Sequence, residues 1–181
     1  MSRIGRQPIP IPADVQIEIV EGQVAVIGPR GSLTQSVNPD LSIDNNDGQV
    51  TVSRPSEARE HRALHGLTRT LIANMVTGVT QGFQKTLELV GVGYRVQQNG
   101  DGITLQLGFS HPVEFQPLSG INLEVEGNNR IHVSGIEKQV VGEMAARIRR
   151  VRPPNRYSGK GVRYSGERVI LKPGKSAARK G

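Results

Sequence analysis

The residues that could bind a ligand are concentrated at the C-terminal end of the chain. Residues 147–181 contain 12 Lys and Arg and a single acid, Glu167, whereas residues 1–146 contain 11 Lys and Arg and 15 Asp and Glu. Clustered cations bind polyanions because they release the counterions condensed on phosphates. This charge distribution favours nucleic acid as the partner. The alternative is a disordered tail whose charge only aids solubility.

The basic region begins at the predicted end of a helix. Four arginines stand within six residues there, and the helix dipole favours cations at this end. Pro153 and Pro154 then end the helix. The arginines are Arg147, Arg149, Arg150 and Arg152.

The segment 155–164 interleaves cations with two tyrosines and two glycines. Tyrosine can stack on a splayed base or ribose, and glycine allows the backbone to lie against a phosphate strand. Residues 167–171 (ERVIL) resemble a strand, so we predict an ordered, RNA-contacting extension with flexible lysines and arginines from Lys172 onward. Including the helix end, the predicted RNA-binding residues are Arg147, Arg149, Arg150, Arg152, Arg156, Tyr157, Gly159, Lys160, Gly161, Arg163, Tyr164, Arg168, Lys172 and Lys175.

One histidine pair has the spacing of a metal-binding helix. His61 and His65 are four residues apart, but Arg62 stands where a zinc hydrolase carries its glutamate base. A cation at that position repels a metal ion. We therefore predict a partly exposed or RNA-facing histidine pair and no metal site.

Two glycine motifs suggest enzymatic chemistry, and each lacks a required residue. Residues 91–93 (GVG) begin a dinucleotide-type pattern, but Val96 occupies the place of the third glycine and a strand follows. Residues 108–112 (GFSHP) lack the second glycine of a nucleophile elbow. We predict no catalytic residue, no cofactor and no enzymatic activity.

The spacing of apolar residues predicts the secondary-structure elements that position these segments. This spacing changes within the first half of the chain. Residues 15–53 contain short runs of alternating apolar residues, which predict strands. After Pro55, apolar residues recur at spacings of three and four, which predicts a helix with one apolar stripe. The predicted stripe consists of Leu64, Leu67, Leu71, Met75 and Val79.

The same plan repeats about 80 residues later, with strands between residues 86 and 134 and a helix from Glu137. Ser134 and Glu137 form a capping-box pattern at its start. The predicted fold class is α+β, with two tandem duplicated domains, each a small antiparallel sheet with one packed helix, plus a basic C-terminal extension. The predicted boundaries are 1–82, 83–152 and 153–181.

Composition narrows the protein class. The chain of 181 residues has no Cys, which excludes disulfides and thiolate-bound metals and fits a reducing compartment. The start MSRIGRQPIPIP lacks the apolar core of a signal peptide, and no run approaches the roughly 18 uncharged residues of a membrane span. We expect a soluble protein with no membrane partner.

Several segments together resemble one known family. In order and at the family's spacing, MSRIGRQPIPIP, GPRG, LVGVGYRVQQNG, LGFSHPVEF, RIRRVRPP and NRYSGKGVRYSGE resemble ribosomal protein six of the large subunit, in its bacterial or organellar form. The family motif usually reads Tyr-Lys-Gly-Lys-Gly. It corresponds here to Tyr157, Gly159, Lys160 and Gly161, with Ser158 in place of the first lysine.

The resemblance implies a structural role in the large ribosomal subunit. The C-terminal domain and extension would bind large-subunit (23S-type) rRNA near the sarcin-ricin region, close to docking translation factors, and would support subunit assembly and translation. The implied neighbours are other large-subunit ribosomal proteins, in cytoplasmic ribosomes or in an organelle matrix or stroma. A free-standing nucleic-acid-binding regulator that shares the fold is the alternative, because fold alone does not separate the two.

Overall fold

The chain forms two compact units in a computed structural model that describes residues 4–20, 22–46 and 48–175. The first unit comprises Met1–Phe83 with Ile136–Lys138, and the second comprises Gln84–Gly135 with Gln139–Gly181. Each unit combines short antiparallel strand pairs with one helix, which confirms the predicted α+β class. Neither helix in the described part of the chain is long and apolar enough to cross a membrane.

The first unit has two three-stranded sheets, ordered β2-β3-β4 and β1-β6-β5. The alternation predicted from the sequence is visible in β3, where Val24 and Val26 are buried and the residues between and beside them are more exposed. The helix α1 contacts β3, β4, β6 and β1. The elements are β1 (Ile9–Pro10), β2 (Gln16–Val20), β3 (Gln23–Gly28), β4 (Gly31–Ser36), β5 (Ser42–Asn46), β6 (Gln49–Ser53) and α1 (Arg59–Thr80).

The end of α1 is set by a glycine. The backbone N–H groups of Gln81 and Gly82 both donate to the Thr77 carbonyl, at 2.9 and 3.1 Å. Gly82 has a φ of +77°, a left-handed conformation that glycine adopts without a Cβ penalty. The chain can therefore leave the helix and enter the next strand at Phe83.

The buried face of α1 differs from the predicted apolar stripe in its N-terminal half. Met75 and Val79 are buried as predicted, but Leu67 is 55% exposed and its inclusion was wrong. His65 occupies the core instead, because its ring donates a hydrogen bond to the Val52 carbonyl and its polar group is thus paired. With His65 on the buried face of the helix, Leu67 lies on the exposed face. The buried positions of α1 are His65, Thr68, Ile72, Met75, Val76, Gly78 and Val79.

The second unit repeats this plan and adds one strand. Its sheets are ordered β10-β9-β8 and β11-β12-β7-β13, so that β7, β12 and β11 correspond to β1, β6 and β5 of the first unit. The elements are β7 (Phe83–Val90), β8 (Arg95–Asn99), β9 (Gly102–Gln106), β10 (Val113–Phe115), β11 (Ile121–Glu126), β12 (Arg130–Gly135), α2 (Lys138–Val151) and β13 (Gly161–Tyr164).

The predicted capping box at the start of α2 is wrong. Ser134 belongs to β12 and is paired with Asn122 of β11, and the pairing continues to Gly135 opposite Ile121. The helix begins only at Lys138, so Glu137 precedes it instead of lying in its first turn. The sheet therefore uses the residue that the sequence pattern assigned to the helix.

The strand in the extension also differs from the prediction. Residues 167–171 form no strand, whereas β13 pairs antiparallel with β7, with Val162 opposite Leu89. Val162 is fully buried, while Ile170 is 79% exposed. Burial of Val162 explains why the sheet takes up this segment, which makes part of the basic extension a strand of the second unit.

Candidate nucleic-acid interface

The candidate cations of the second unit fall into two groups. One group is held by contacts within the protein and includes Arg149, Arg152 and Arg163. The other group has exposed residues whose side chains form no ion pair or hydrogen bond with any described residue; we call these the open cations. The open cations are Arg150, Arg156, Lys160, Arg168, Lys172 and Lys175.

Arg147 shares properties of both groups, because it is exposed but has an acidic partner. Its Nε lies 2.7 Å from Glu143 Oε1, one helical turn earlier, and both side chains are about half exposed. The hydrogen bond from Arg147 lowers the pKa of the Glu143 carboxyl below its ordinary value. An exposed pair of this kind is weak, so Arg147 can exchange its partner for a phosphate at little cost.

Arg149 forms a cluster with Glu167 and Tyr164 at the end of α2. Its Nη2 lies 2.5 Å from Glu167 Oε1 and its Nε lies 3.1 Å from Glu167 Oε2. The guanidinium carbon is 5.4 Å from the centre of the Tyr164 ring, and the Tyr164 N–H donates to Glu167 Oε2 at 3.0 Å. The Arg149 hydrogen bonds hold the pKa of Glu167 below its usual range, so the carboxylate stays charged.

Arg163 is directed along the sheet. It lies opposite Glu88 in the pairing of β13 with β7, and its Nη2 is 3.4 Å from Glu88 Oε2. The Ser165 hydroxyl donates to the other carboxylate oxygen of Glu88 at 3.1 Å. The Nε of Arg163 is buried and has no hydrogen-bond partner in the described part of the chain. This arginine therefore contributes mainly to the position of β13.

The segment between α2 and β13 is a closed loop. The Asn155 Oδ1 accepts hydrogen bonds from the N–H groups of Tyr157 and Ser158, at 2.8 and 3.2 Å. The backbone of Asn155 also pairs with Gly159 and Lys160, at 2.8 and 2.9 Å. These bonds fix the loop, while the Tyr157 side chain is 64% exposed and available for stacking.

Gly161 is required by the fold itself. Its φ is +146°, and a Cβ at this position would lie 2.6 Å from the Pro153 carbonyl oxygen and 2.8 Å from that of Arg152. The next residue, Val162, donates its N–H to the same Arg152 carbonyl at 2.8 Å. At Gly161 two backbone segments of the protein therefore lie too close together to admit a side chain.

A basic groove of about 680 Å³ lies beside the Arg149 cluster. Four cations line it, and its one acid, Glu167, is paired with Arg149. Its surface is therefore positive, as binding of a phosphate strand requires. The lining residues are Arg149, Pro153, Pro154, Arg156, Glu167, Arg168, Val169, Ile170 and Lys172.

The far extension is only partly described. The N–H of Lys172 donates to the Arg156 carbonyl at 2.7 Å, so the backbone of Lys172 contacts the loop that precedes β13. Lys175 is exposed. Arg179 and Lys180, also predicted to be flexible, lie outside the described residues.

The predicted partly exposed or RNA-facing histidine pair is wrong for His65. This side chain is 3% exposed, its Nε2 donates to the Val52 carbonyl at 2.8 Å, and its Nδ1 lies 2.8 Å from Arg54 Nη1. His61 is half-buried and shares a hydrogen bond with the Ser56 hydroxyl at 2.8 Å. Within the described ranges, no three His, Asp or Glu side chains are arranged to hold a metal ion.

Comparison with known proteins identifies relatives along the whole chain. The family model described as Ribosomal protein L6 matches residues 11–82 and 90–165. A protein of Caldicellulosiruptor saccharolyticus is 52% identical over 176 residues, 97% of each chain. A protein of Carboxydothermus hydrogenoformans is 52% identical, and the match covers 99% of this chain and 98% of the relative. A protein of Acidothermus cellulolyticus is 55% identical, and the match covers 97% of this chain and 99% of the relative. All three are named large ribosomal subunit protein uL6.

Proposed function

This chain belongs to the ribosomal protein L6 family, and from that premise we propose that it is a structural constituent of the large ribosomal subunit which binds large-subunit rRNA through its second unit. The relatives are named as ribosomal proteins and not as enzymes, which agrees with the prediction of no catalytic activity. The contribution of this chain is then to hold RNA in place and to support subunit assembly.

The observation that carries the proposal is the set of six open cations on the second unit. They are exposed and form no salt bridge among the described residues, so their binding to phosphates breaks no ion pair of the fold. Several of them border the basic groove. By contrast, the Arg149 and Arg163 side chains use Glu167 and Glu88 to hold the extension in position.

We propose that the predicted RNA-binding residues have two different roles. The open cations, together with Arg147 and the exposed ring of Tyr157, contact RNA directly. The residues Arg149, Gly161 and Tyr164 act through the fold, because their contacts keep the loop 155–160 and β13 in place. Gly159, with a φ of +71°, completes the turn of this loop.

Membership of the family supports a proposal for the finer location of binding. We propose contact with the sarcin-ricin region of 23S-type rRNA, next to other large-subunit proteins and close to the site of translation-factor docking. The protein would then reside on ribosomes of the cytoplasm, or of an organelle matrix or stroma.

Sedimentation provides the test. In a gradient of cell extract at high magnesium, the full chain should travel with large subunits, and it should be released as monovalent salt is raised. A protein that remains at the top of the gradient, although it is folded and binds RNA in isolation, would contradict the proposal. That result would identify a free-standing RNA-binding regulator.

A further inference from the structure

Two sequence motifs with no part in the proposed phosphate contacts meet in the second unit. Residues 91–94 (GVGY) follow β7, and residues 107–112 (LGFSHP) lie between β9 and β10. Gly93, Gln106 and the residues from Gly108 to Pro112 border one cleft of about 320 Å³. Since neither motif builds a cofactor or nucleophile site, the surface that they form together needs another explanation.

Arg152 joins the two motifs. Its guanidinium carbon lies 5.2 Å from the centre of the Tyr94 ring and 5.0 Å from that of the Phe109 ring. Its Nη1 donates to the Leu107 carbonyl. A cation held between two ring faces fixes both rings, so Phe109 is positioned before any ligand arrives.

The Phe109 ring has a second aromatic neighbour. It stacks with His111 at a centroid distance of 6.4 Å and an interplanar angle of 22°, and it remains 45% exposed. His111 is also exposed, and the Ser110 hydroxyl lies 3.4 Å from its Nδ1. We call Phe109 and His111 the aromatic platform. Exposed aromatic side chains are the surfaces on which proteins stack single-stranded bases.

We propose that the aromatic platform stacks one unpaired base of the RNA that the protein binds. This inference rests on the proposed function and adds to it a contact of a different kind, made by aromatic rings instead of cations. The cleft beside the platform carries side chains that can hydrogen-bond a base edge, from Gln106, Ser110 and His111. Among the described residues no carboxylate lines the cleft, so the phosphate attached to the base meets no repulsion there.

The lining favours a base over an apolar peptide. A hydrophobic peptide segment would require several aliphatic or aromatic residues around the cleft. Besides Phe109, the lining contains two glycines, one proline and three hydrogen-bonding residues. A flat, partly polar ligand with a π face fits this set of residues.

Substitution of Phe109 tests the proposal on the full chain. Phe109→Ala should weaken binding to a large-subunit rRNA fragment containing the sarcin-ricin region by between about fivefold and 150-fold. Phe109→Tyr should restore most of the affinity, because it keeps the ring. The salt dependence of binding should not change with Phe109→Ala, since stacking releases no counterions.

A spectroscopic variant reports the stacking directly. The chain contains no Trp, so Phe109→Trp places a single indole in the platform. Its fluorescence should be quenched when the rRNA fragment is added. Val20→Trp is the matched control, because Val20 is 67% exposed on the first unit and its fluorescence should change little.

The outcomes separate the two proposals. If the wild type binds the fragment and Phe109→Ala binds it equally well with an unchanged melting curve, the platform proposal is overturned and the proposed function stands. Equal quenching of the two Trp variants would also overturn the platform proposal and leave the proposed function in place. If Phe109→Ala keeps RNA affinity but loses its place on assembled subunits, the platform binds a protein and the assignment to a base is wrong. If the wild type does not bind the fragment, both proposals fail.

Discussion

The Arg149 guanidinium meets the Glu167 carboxylate at two points, with N–O distances of 2.5 and 3.1 Å. Arg149 lies in the last turn of α2 and Glu167 lies three residues beyond β13, so this pair fastens the extension to the helix. Glu167 is the only acid between residues 147 and 181. The single carboxylate of the basic region therefore serves the fold of that region.

The first prediction concerns the pH dependence of this pair. The hydrogen bond from Arg149 holds the pKa of Glu167 below its ordinary value of 4.5, so the unfolded state binds a proton more readily than the folded state. The stabilisation is complete above that ordinary value and is lost as the pH falls through the lowered pKa. Glu167→Gln should reduce the free energy of unfolding by about 1 kcal/mol near neutral pH and by much less in acid.

Urea denaturation of both proteins at about pH 7 and about pH 3 measures this difference. Glu143→Gln is the control, because its exposed pair with Arg147 should contribute little at either pH. A destabilisation by Glu167→Gln that is the same at both pH values would show that the ion pair is not its cause.

The second prediction concerns Gly161. Gly161→Val should lower the free energy of unfolding by about 2–5 kcal/mol, because the new side chain meets two backbone carbonyls at a φ that valine avoids. Thermal unfolding followed by circular dichroism measures the loss. Gly142→Ala is the matched control: it lies within α2 with nothing within 4 Å of a new Cβ, so it should stabilise by about 0.5–1 kcal/mol. If Gly161→Val unfolds like the wild type, the contact with Arg152 and Pro153 does not constrain this position.

The third prediction concerns the open cations. Arg156→Ala and Lys160→Ala should each lower rRNA affinity and reduce the slope of log affinity against log salt by roughly 0.7–0.9, the contribution of one phosphate contact. Filter binding at several salt concentrations gives the slope. Arg62→Ala, which removes an exposed cation from the first unit, should leave the slope unchanged. An equal loss for Arg62→Ala would mean that the first unit also contacts RNA.

The fourth prediction separates the two histidines of α1. His65→Leu should destabilise the first unit by about 1–3 kcal/mol, since it leaves the Val52 carbonyl and Arg54 without their buried partner. His61→Ala should cost less than about 1 kcal/mol, because its contact with Ser56 is exposed. Neither change should alter the salt slope of RNA binding. A loss of RNA affinity in a folded His61→Ala variant would show that this residue faces RNA.

The sequence predicted elements well where local pattern alone decides them. The alternation of apolar residues predicted strands within residues 15–53 and between residues 86 and 134, and β3 and β11 lie there because one face of each strand is buried. The prediction from sequence failed where a partner that is distant in the chain determines the place of a residue. Ser134 is taken by pairing with Asn122, and Leu67 loses its core position to His65, whose burial depends on a carbonyl in β6.

The candidate site was predicted in composition but not in arrangement. Charge counting finds Arg149 and Arg150 alike, yet within the described ranges only Arg149 of the two forms a salt bridge, with a carboxylate 18 residues further along the chain. The same limit applies to Phe109 and Arg152, whose contact depends on the packing of a loop against a helix end. Such distinctions follow from tertiary contacts, which periodicity and composition do not encode.

The strand β13 has a consequence for how the chain is made. It covers the β7 edge along Leu87–Val90, which would otherwise present a row of unpaired backbone N–H and C=O groups. Translation delivers these four closing residues, 161–164, more than 70 positions after β7. A chain that stops before residue 161 keeps the β7 edge unpaired and is prone to aggregation, whereas pairing with β13 closes that edge. Protection of this edge therefore depends on residues that are synthesised after all the other strands of the second unit.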